Sequence, residues 1–198
     1  MAVDTANLAA LIGSRICHDL ISPVGAINNG LELLAMSGAM AGPELELISD
    51  SVLNANARIR FFRVAFGAAG DQQMGRAEVV SVLDDIGKAG RMKFQWDHAE
   101  GCSRSEVRMA FLAALCMETA LPYGGLITMS CEGGKWTVTG EGRKVAVDAP
   151  LWCHLDGSDT DMAVTPAQVQ FAMLPVAAEE ASREVDYGHS AEKITIQF

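Results

Sequence analysis

The chain has 198 residues, 49% of them hydrophobic and 20% charged, enough for one large domain or two small ones with a packed core. Its formal net charge of -10 excludes a nucleic-acid binder of the usual kind, because phosphate backbones are held by clustered Lys and Arg. No apolar run is long enough to span a membrane and the N-terminus lacks a signal-like pattern, so the expected address is cytoplasmic.

Apolar residues recur at Leu8, Ile12, Ile16, Leu20, Val24, Ile27, Leu31 and Leu34, at the three- and four-residue spacings of one helical face. The interruption Ser37-Gly38-Ala39-Met40-Ala41-Gly42-Pro43 ends that helix. A second stripe through Leu45, Ile48, Val52, Ala55, Ile59, Phe62 and Phe66 follows, with Pro43 in its first turn. The result is a hairpin of helices of about 26 to 34 residues, roughly 40 to 50 Å each. Two such helices cannot cover their own apolar stripes, which predicts a homodimer closing a four-helix bundle.

A Gly-rich stretch from Gly67 to Gly75 reads as a linker, dividing the chain into 1–70 and 71–198. The first part is nearly neutral, with 4 basic and 6 acidic residues, and the second is acidic, with 11 and 19. Beyond the linker, 77–88 reads as helix, 92–96 as strand and 103–119 as helix. Strands at 126–131 and 136–139 flank the turn Glu132-Gly133-Gly134-Lys135. Another helix is expected over 166–181 behind Pro166, and 194–198 as a closing strand. The fold class is therefore α+β: a helical hairpin followed by a sheet with helices on one face.

The cysteines Cys17, Cys102, Cys116, Cys131 and Cys153 are odd in number and form no C-x-x-C pair, which predicts reduced, mostly buried thiols and no zinc site. His98 with Cys102, and Cys153 with His154, fall short of the four ligands of structural zinc. Asp156, Asp159 and Asp161 lack the pattern of a calcium loop.

On a helical wheel His18 lies roughly 180° from the direction shared by Ile16, Leu20, Ile27 and Leu34, so it faces outward. Ser22, Gly25 and Asn29 share its side. A solvated surface histidine is the plain reading of such a position. Its neighbours change that reading, because His18-Asp19-Leu20-Ile21-Ser22-Pro23 resembles the H-E/D-x-x-T/N-P signature of the phosphoacceptor helix in two-component histidine kinases. The longer run from Arg15 to Gly30 resembles the ChpT-type histidine phosphotransferases of bacterial cell-cycle phosphorelays. Chain length and layout agree with that family throughout, most strongly over residues 8–35.

The chemistry explains these residue types. An imidazole nitrogen attacking phosphorus in line needs exposure and the correct tautomer, which a carboxylate favours by accepting from the other ring nitrogen. Asp19 is the candidate for that role. The resemblance implies the same for the acid after the histidine, and assigns Ser22 to orienting the ring. Pro23 removes a helical hydrogen bond and is expected to bend the helix beyond the site. If positions whose numbers sum to about 81 lie level across the hairpin, His18 faces Arg63. Arg15, Arg60 and Arg63 are then candidates to contact phosphoryl oxygens or a docked partner, together with Asn29.

In histidine kinases the bundle is followed by an ATP-binding α/β sandwich, and residues 71–198 resemble a degenerate form of it. Aligning Leu121-Pro-Tyr-Gly-Gly125 with the kinase T-P-x-G-G segment puts Cys116 where a magnesium-binding Asn stands. Val138-Thr139-Gly140-Glu141-Gly142 keeps the spacing of D-x-G-x-G without its Asp, and a turn between strands is the better reading of its glycines. No cofactor, ATP or metal is expected on this chain, Mg²⁺ belonging to the partner's aspartate pocket. The resemblance implies as partners the receiver domain of a hybrid histidine kinase and response-regulator receiver domains. A divergent ATP-dependent kinase and a non-catalytic receiver-binding adaptor remain as alternatives.

Overall fold

The computed structural model describes residues 5–37, 42–68, 72–157 and 163–198. Two long helices, α1 (Thr5–Ser37) and α2 (Pro43–Ala65), pack against each other as the expected hairpin. Pro43 sits in the first turn of α2, where its missing N–H is no loss, with Glu44 and Glu46 beside it and Arg63 in the last turn to complement the helix dipole. The residues expected to connect the helices, 38–41, lie outside the described residues, as do 69–71 of the expected linker.

The second part contains α3 (Arg76–Ala89), β2 (Met92–Asp97), α4 (Arg104–Ala120), β4 (Gly125–Glu132), β5 (Lys135–Glu141), α6 (Val169–Glu180) behind a 3₁₀ turn at Pro166–Gln168, and β7 (Lys193–Gln197). All were expected. Four small elements were not: a two-residue ribbon of β1 (Gln73–Met74) with β3 (Cys102–Ser103), the short α5 (Ala149–Trp152), and β6 (Asp186–His189). The main sheet has the order β2-β4-β5-β7-β6, with β2 parallel to β4 and the other pairs antiparallel. Gly133 and Gly134 close the β4–β5 hairpin with φ of 57° and 83°, the left-handed conformations of a two-residue type I′ turn.

Alternation sorts the strands into two faces. Trp96, Ile127, Met129, Trp136, Val138 and Ile196 are buried under the helices. The other face carries half-exposed threonines in register, Thr128 beside Thr139 and Thr139 beside Thr195. Between sheet and helices runs α4, buried on nearly every side from Val107 to Met117, as its apolar composition requires. Its start is fixed by a capping box: the Glu106 amide donates to the Ser103 hydroxyl, and the Ser103 amide donates to the Glu106 carboxylate.

The core does not respect the linker. Phe61 and Phe62 of α2 belong to it, and Phe61 stacks on Phe111 of α4 with ring centroids 4.5 Å apart. The N-terminal part of α1 also packs on this core, through Leu8, Leu11, Ile12 and Ile16. The two parts are thus distinct along the chain but share one hydrophobic interior.

All five cysteines are free, yet only Cys102 and Cys116 are buried, and Cys17 is exposed beside His18. Among the described residues no helix is long and apolar enough to cross a membrane, and no group of three His, Cys, Asp or Glu side chains is arranged to hold a metal ion. Asp159 and Asp161 lie outside the described residues.

Candidate functional site

The stripe of α1 that meets α2 turns His18 outward, leaving its side chain 80% exposed. The next residue points some 100° around the helix and is drawn in, so that only 10% of the Asp19 side chain remains exposed. From there one carboxylate oxygen of Asp19 lies 3.0 Å from Nδ1 of His18. The other accepts from Nε of Arg15 at 2.9 Å and faces a guanidinium nitrogen of Arg58 at 3.5 Å. A largely buried carboxylate is costly to desolvate, and two guanidinium partners offset that cost while leaving it one orientation.

A carboxylate can only accept, so the bond to Asp19 requires the proton on Nδ1 and leaves the lone pair on the solvent-facing Nε2. The arrangement is that of a nucleophile held in one tautomer and open to a partner molecule. Pro23, buried one turn beyond Asp19, removes the amide that the Asp19 carbonyl would otherwise accept from; α1 nevertheless continues to Ser37.

Of the residues singled out in the sequence, His18, Asp19 and Arg15 come together. Ser22 is exposed one turn further on, with no hydrogen bond to the ring, and Asn29 is exposed about 16 Å along the helix axis. Neither Arg60 nor Arg63 is brought to this cluster. Arg60 is turned toward α3, where it pairs with Asp85 and reaches the Ser81 hydroxyl. Arg63 is exposed at the end of α2, its carbonyl accepting from Arg104. The reason is register: Asp19 meets Arg58, and Gly30 backs onto Ile48, so α2 is offset by three to four residues from the expected alignment. Arg58 takes the place assigned to Arg63. Arg15 also donates to the Ala167 carbonyl, tying the site to the turn before α6.

The positions aligned with kinase nucleotide contacts lie in the interior. Cys116 is fully buried within α4, where burial holds its thiol well above its ordinary range. Val138 is fully buried, paired across the sheet with Met129 and Ile196. Gly140 is not in a turn, as its spacing suggested, but inside β5, where a side chain would press on Leu121, Ile194 and Met117.

Comparison with known proteins places this geometry in a family. The profile of the histidine phosphotransferase C-terminal domain matches residues 76–193. The protein phosphotransferase ChpT of Brucella abortus (strain 2308) is 34% identical over 195 residues, 95% of this chain and 93% of that protein. The chain belongs to the ChpT-type histidine phosphotransferases. A solved bacterial phosphotransferase superposes with a TM-score of 0.82 at 30% identity, over 100% of this chain and 98% of the other. The domain profile lies wholly in the second part, whereas both of these phosphotransferases also cover the hairpin that carries His18. Membership makes this chain a phosphotransferase of phosphorelay signalling, and the His18 cluster is where its geometry supports such chemistry.

Proposed function

We propose that His18 is the phosphoacceptor of a multistep phosphorelay, taking a phosphoryl group from the receiver aspartate of a hybrid histidine kinase and passing it to response-regulator receiver domains of the cell-cycle type. The observation that carries this reading is the exposed imidazole with Asp19 against Nδ1. In the forward step Nε2 attacks phosphorus, the N–P bond forms as the P–O bond to the donor aspartate breaks, and the donor leaves as a carboxylate. Positive charge developing on the ring is stabilised by Asp19, whose own position is kept by Arg15 and Arg58. The second transfer is the reverse reaction on another aspartate. Ser22 and Asn29 face the incoming domain from the same side of α1, and Mg²⁺ belongs to the receiver's acidic pocket.

The chain takes its phosphoryl group from a protein and not from ATP. The burial of Cys116 and Val138 supports this, because neither offers an oxygen ligand or a carboxylate to a nucleotide.

The working form is a cytoplasmic homodimer. Residues seven apart remain exposed on both helices, Val24 and Leu31 on α1 and Leu45, Val52 and Ile59 on α2, a spacing suited to the seam of a four-helix bundle formed with a second copy.

The test is transfer of radiolabel from a phosphorylated receiver domain to the wild type and to His18→Gln, beside incubation of both with labelled ATP and Mg²⁺. Label passing from the receiver to the wild type alone is the expected result. Label taken directly from ATP would make the chain a kinase, and label from neither source would leave a receiver-binding adaptor.

A further inference from the structure

Between hairpin and sandwich lies a half-enclosed cleft of about 430 Å³, within the range of small-molecule sites. Five elements or their flanks contribute to it, so it exists only because the two parts pack together. Its charged lining is Arg15, Arg58, Arg91, Asp19 and Glu118, and its apolar lining includes Phe62, Ile86, Phe94 and Leu115.

These charges are unequally used. Arg15 is committed to Asp19 and the Ala167 carbonyl, while Arg58 holds Asn54 and stands 3.5 Å from Asp19. Arg91 and Glu118 make no side-chain hydrogen bond or ion pair among the described residues, although both line the cleft. Three guanidinium groups face two carboxyls, an excess of positive charge beside apolar walls. Burial pushes the Glu118 carboxyl upward against the pull of Arg15, Arg58 and Arg91, with Asp19 adding to the rise, and each proton it retains increases that excess. One unspent guanidinium, Arg91, within an excess of positive charge and beside apolar walls selects a ligand with both characters.

We propose that this cleft binds a small organic anion, a phosphate or carboxylate on an apolar or aromatic body, with its charge on Arg91 and Arg58 and its body against Ile86 and Phe94. Glu118 faces the same space and accepts from, or donates to, a polar group on that body. Because Arg58 also holds Asp19, an occupant draws on the anchor of the His18 ring and slows transfer; this consequence rests on the phosphorelay reading of His18, whereas the binding does not.

The experiment is titration of the full-length protein, labelled at Ile and Leu methyls, with phenyl phosphate, benzoate, inorganic phosphate and benzyl alcohol. Phenyl phosphate or benzoate is expected to shift the Ile86 and Leu115 methyls saturably, at least about tenfold more tightly than inorganic phosphate or benzyl alcohol, and the tighter of the two identifies the anion. Arg91→Ala, on an exposed and unpaired side chain, is expected to weaken that binding about tenfold without changing the melting temperature. Saturable binding of the same strength in His18→Gln keeps the result independent of the transfer reaction. Equal binding of inorganic phosphate, undiminished binding in Arg91→Ala, or no saturable shift at Ile86 and Leu115 would each overturn the proposal.

Discussion

Arg58 of α2 and Asp19 of α1 meet across the hairpin at 3.5 Å, on the carboxylate oxygen that Arg15 also holds. The carboxylate that bonds the His18 ring is therefore anchored from two helices. Its orientation depends on how α1 and α2 are aligned as well as on the local sequence of α1.

Replacing Asp19 by Asn keeps the shape and removes the charge that fixes the ring. Phosphoryl transfer from a receiver is expected to slow by about 10- to 100-fold, the usual cost of losing a partner that orients a reactive imidazole. Nitrogen NMR of His18 checks the cause: the fraction of ring protonated on Nε2 rises in the variant, and an unchanged tautomer ratio would contradict the role given to Asp19.

Arg58→Ala is expected to slow transfer several-fold while the protein stays folded, because Arg15 still holds Asp19. Arg63→Ala is expected to transfer at the wild-type rate. Arg60→Ala loses the half-exposed pair with Asp85 and is expected to cost stability of about 0–1 kcal/mol with no kinetic effect. Stopped transfer assays and thermal melts on the three variants separate these outcomes, and a rate loss confined to Arg63→Ala would reverse the assignment.

Charge placed on the apolar seam tests the homodimer. Val52→Lys is expected to reduce the mass measured by light scattering from two chains to one while helical circular dichroism is retained. A wild-type protein that is monomeric at micromolar concentration would remove the four-helix bundle from the account.

Glu106 joins the capping box, the Trp136 indole and Arg183. Burial alone would raise its pKa, but the Ser103 and Trp136 hydrogen bonds and the Arg183 charge outweigh burial and hold it below its ordinary value of 4.5. The stability it contributes is thus present at neutral pH and lost as pH falls below 4.5 and through the depressed native value. Glu106→Gln is expected to destabilise by about 1–3 kcal/mol at pH 7 and to flatten the acid limb of stability against pH. An acid limb as steep as the wild type's would show that other carboxyls govern it.

For Glu118 the sign is opposite. Burial raises its native pKa above the ordinary 4.5, the nearby arginines only partly opposing, so its contribution is complete at lower pH and declines as pH rises through the raised value. Glu118→Gln is expected to match the wild type in chemical denaturation near pH 4 and to exceed it near pH 8. A variant less stable than the wild type at both pH values would refute this.

Much of the architecture could be read from residue spacing. The three- and four-residue stripes identified α1 and α2, Pro43 marked a helix start, and the Gly133-Gly134 pair located the β4–β5 turn. The strand β6 was missed because Asp186-Tyr187-Gly188-His189 occupies a sheet edge, where three of its four residues are exposed and no alternation marks it. His18, Asp19 and Arg15 were visible because a single helix holds all three. Arg58 was not, because interhelical register is set by side-chain packing that an assumed turn at 39–42 cannot supply. Arg91 and Glu118 come to line one cleft only through tertiary packing; the one trace in the sequence is an acid at the end of the otherwise apolar run Ala110–Met117.

The Phe61–Phe111 stack makes the hairpin a poor candidate for transplantation. Severed near residue 70, it would expose Phe61, Phe62 and the flank of α1 that rests on α6. The smallest piece that can be exchanged between signalling proteins without repair spans both parts, so the helix that carries His18 and the sandwich behind it are inherited as one object. Whatever remodels the sandwich also presses, through α2, on the alignment that brings Arg58 to Asp19.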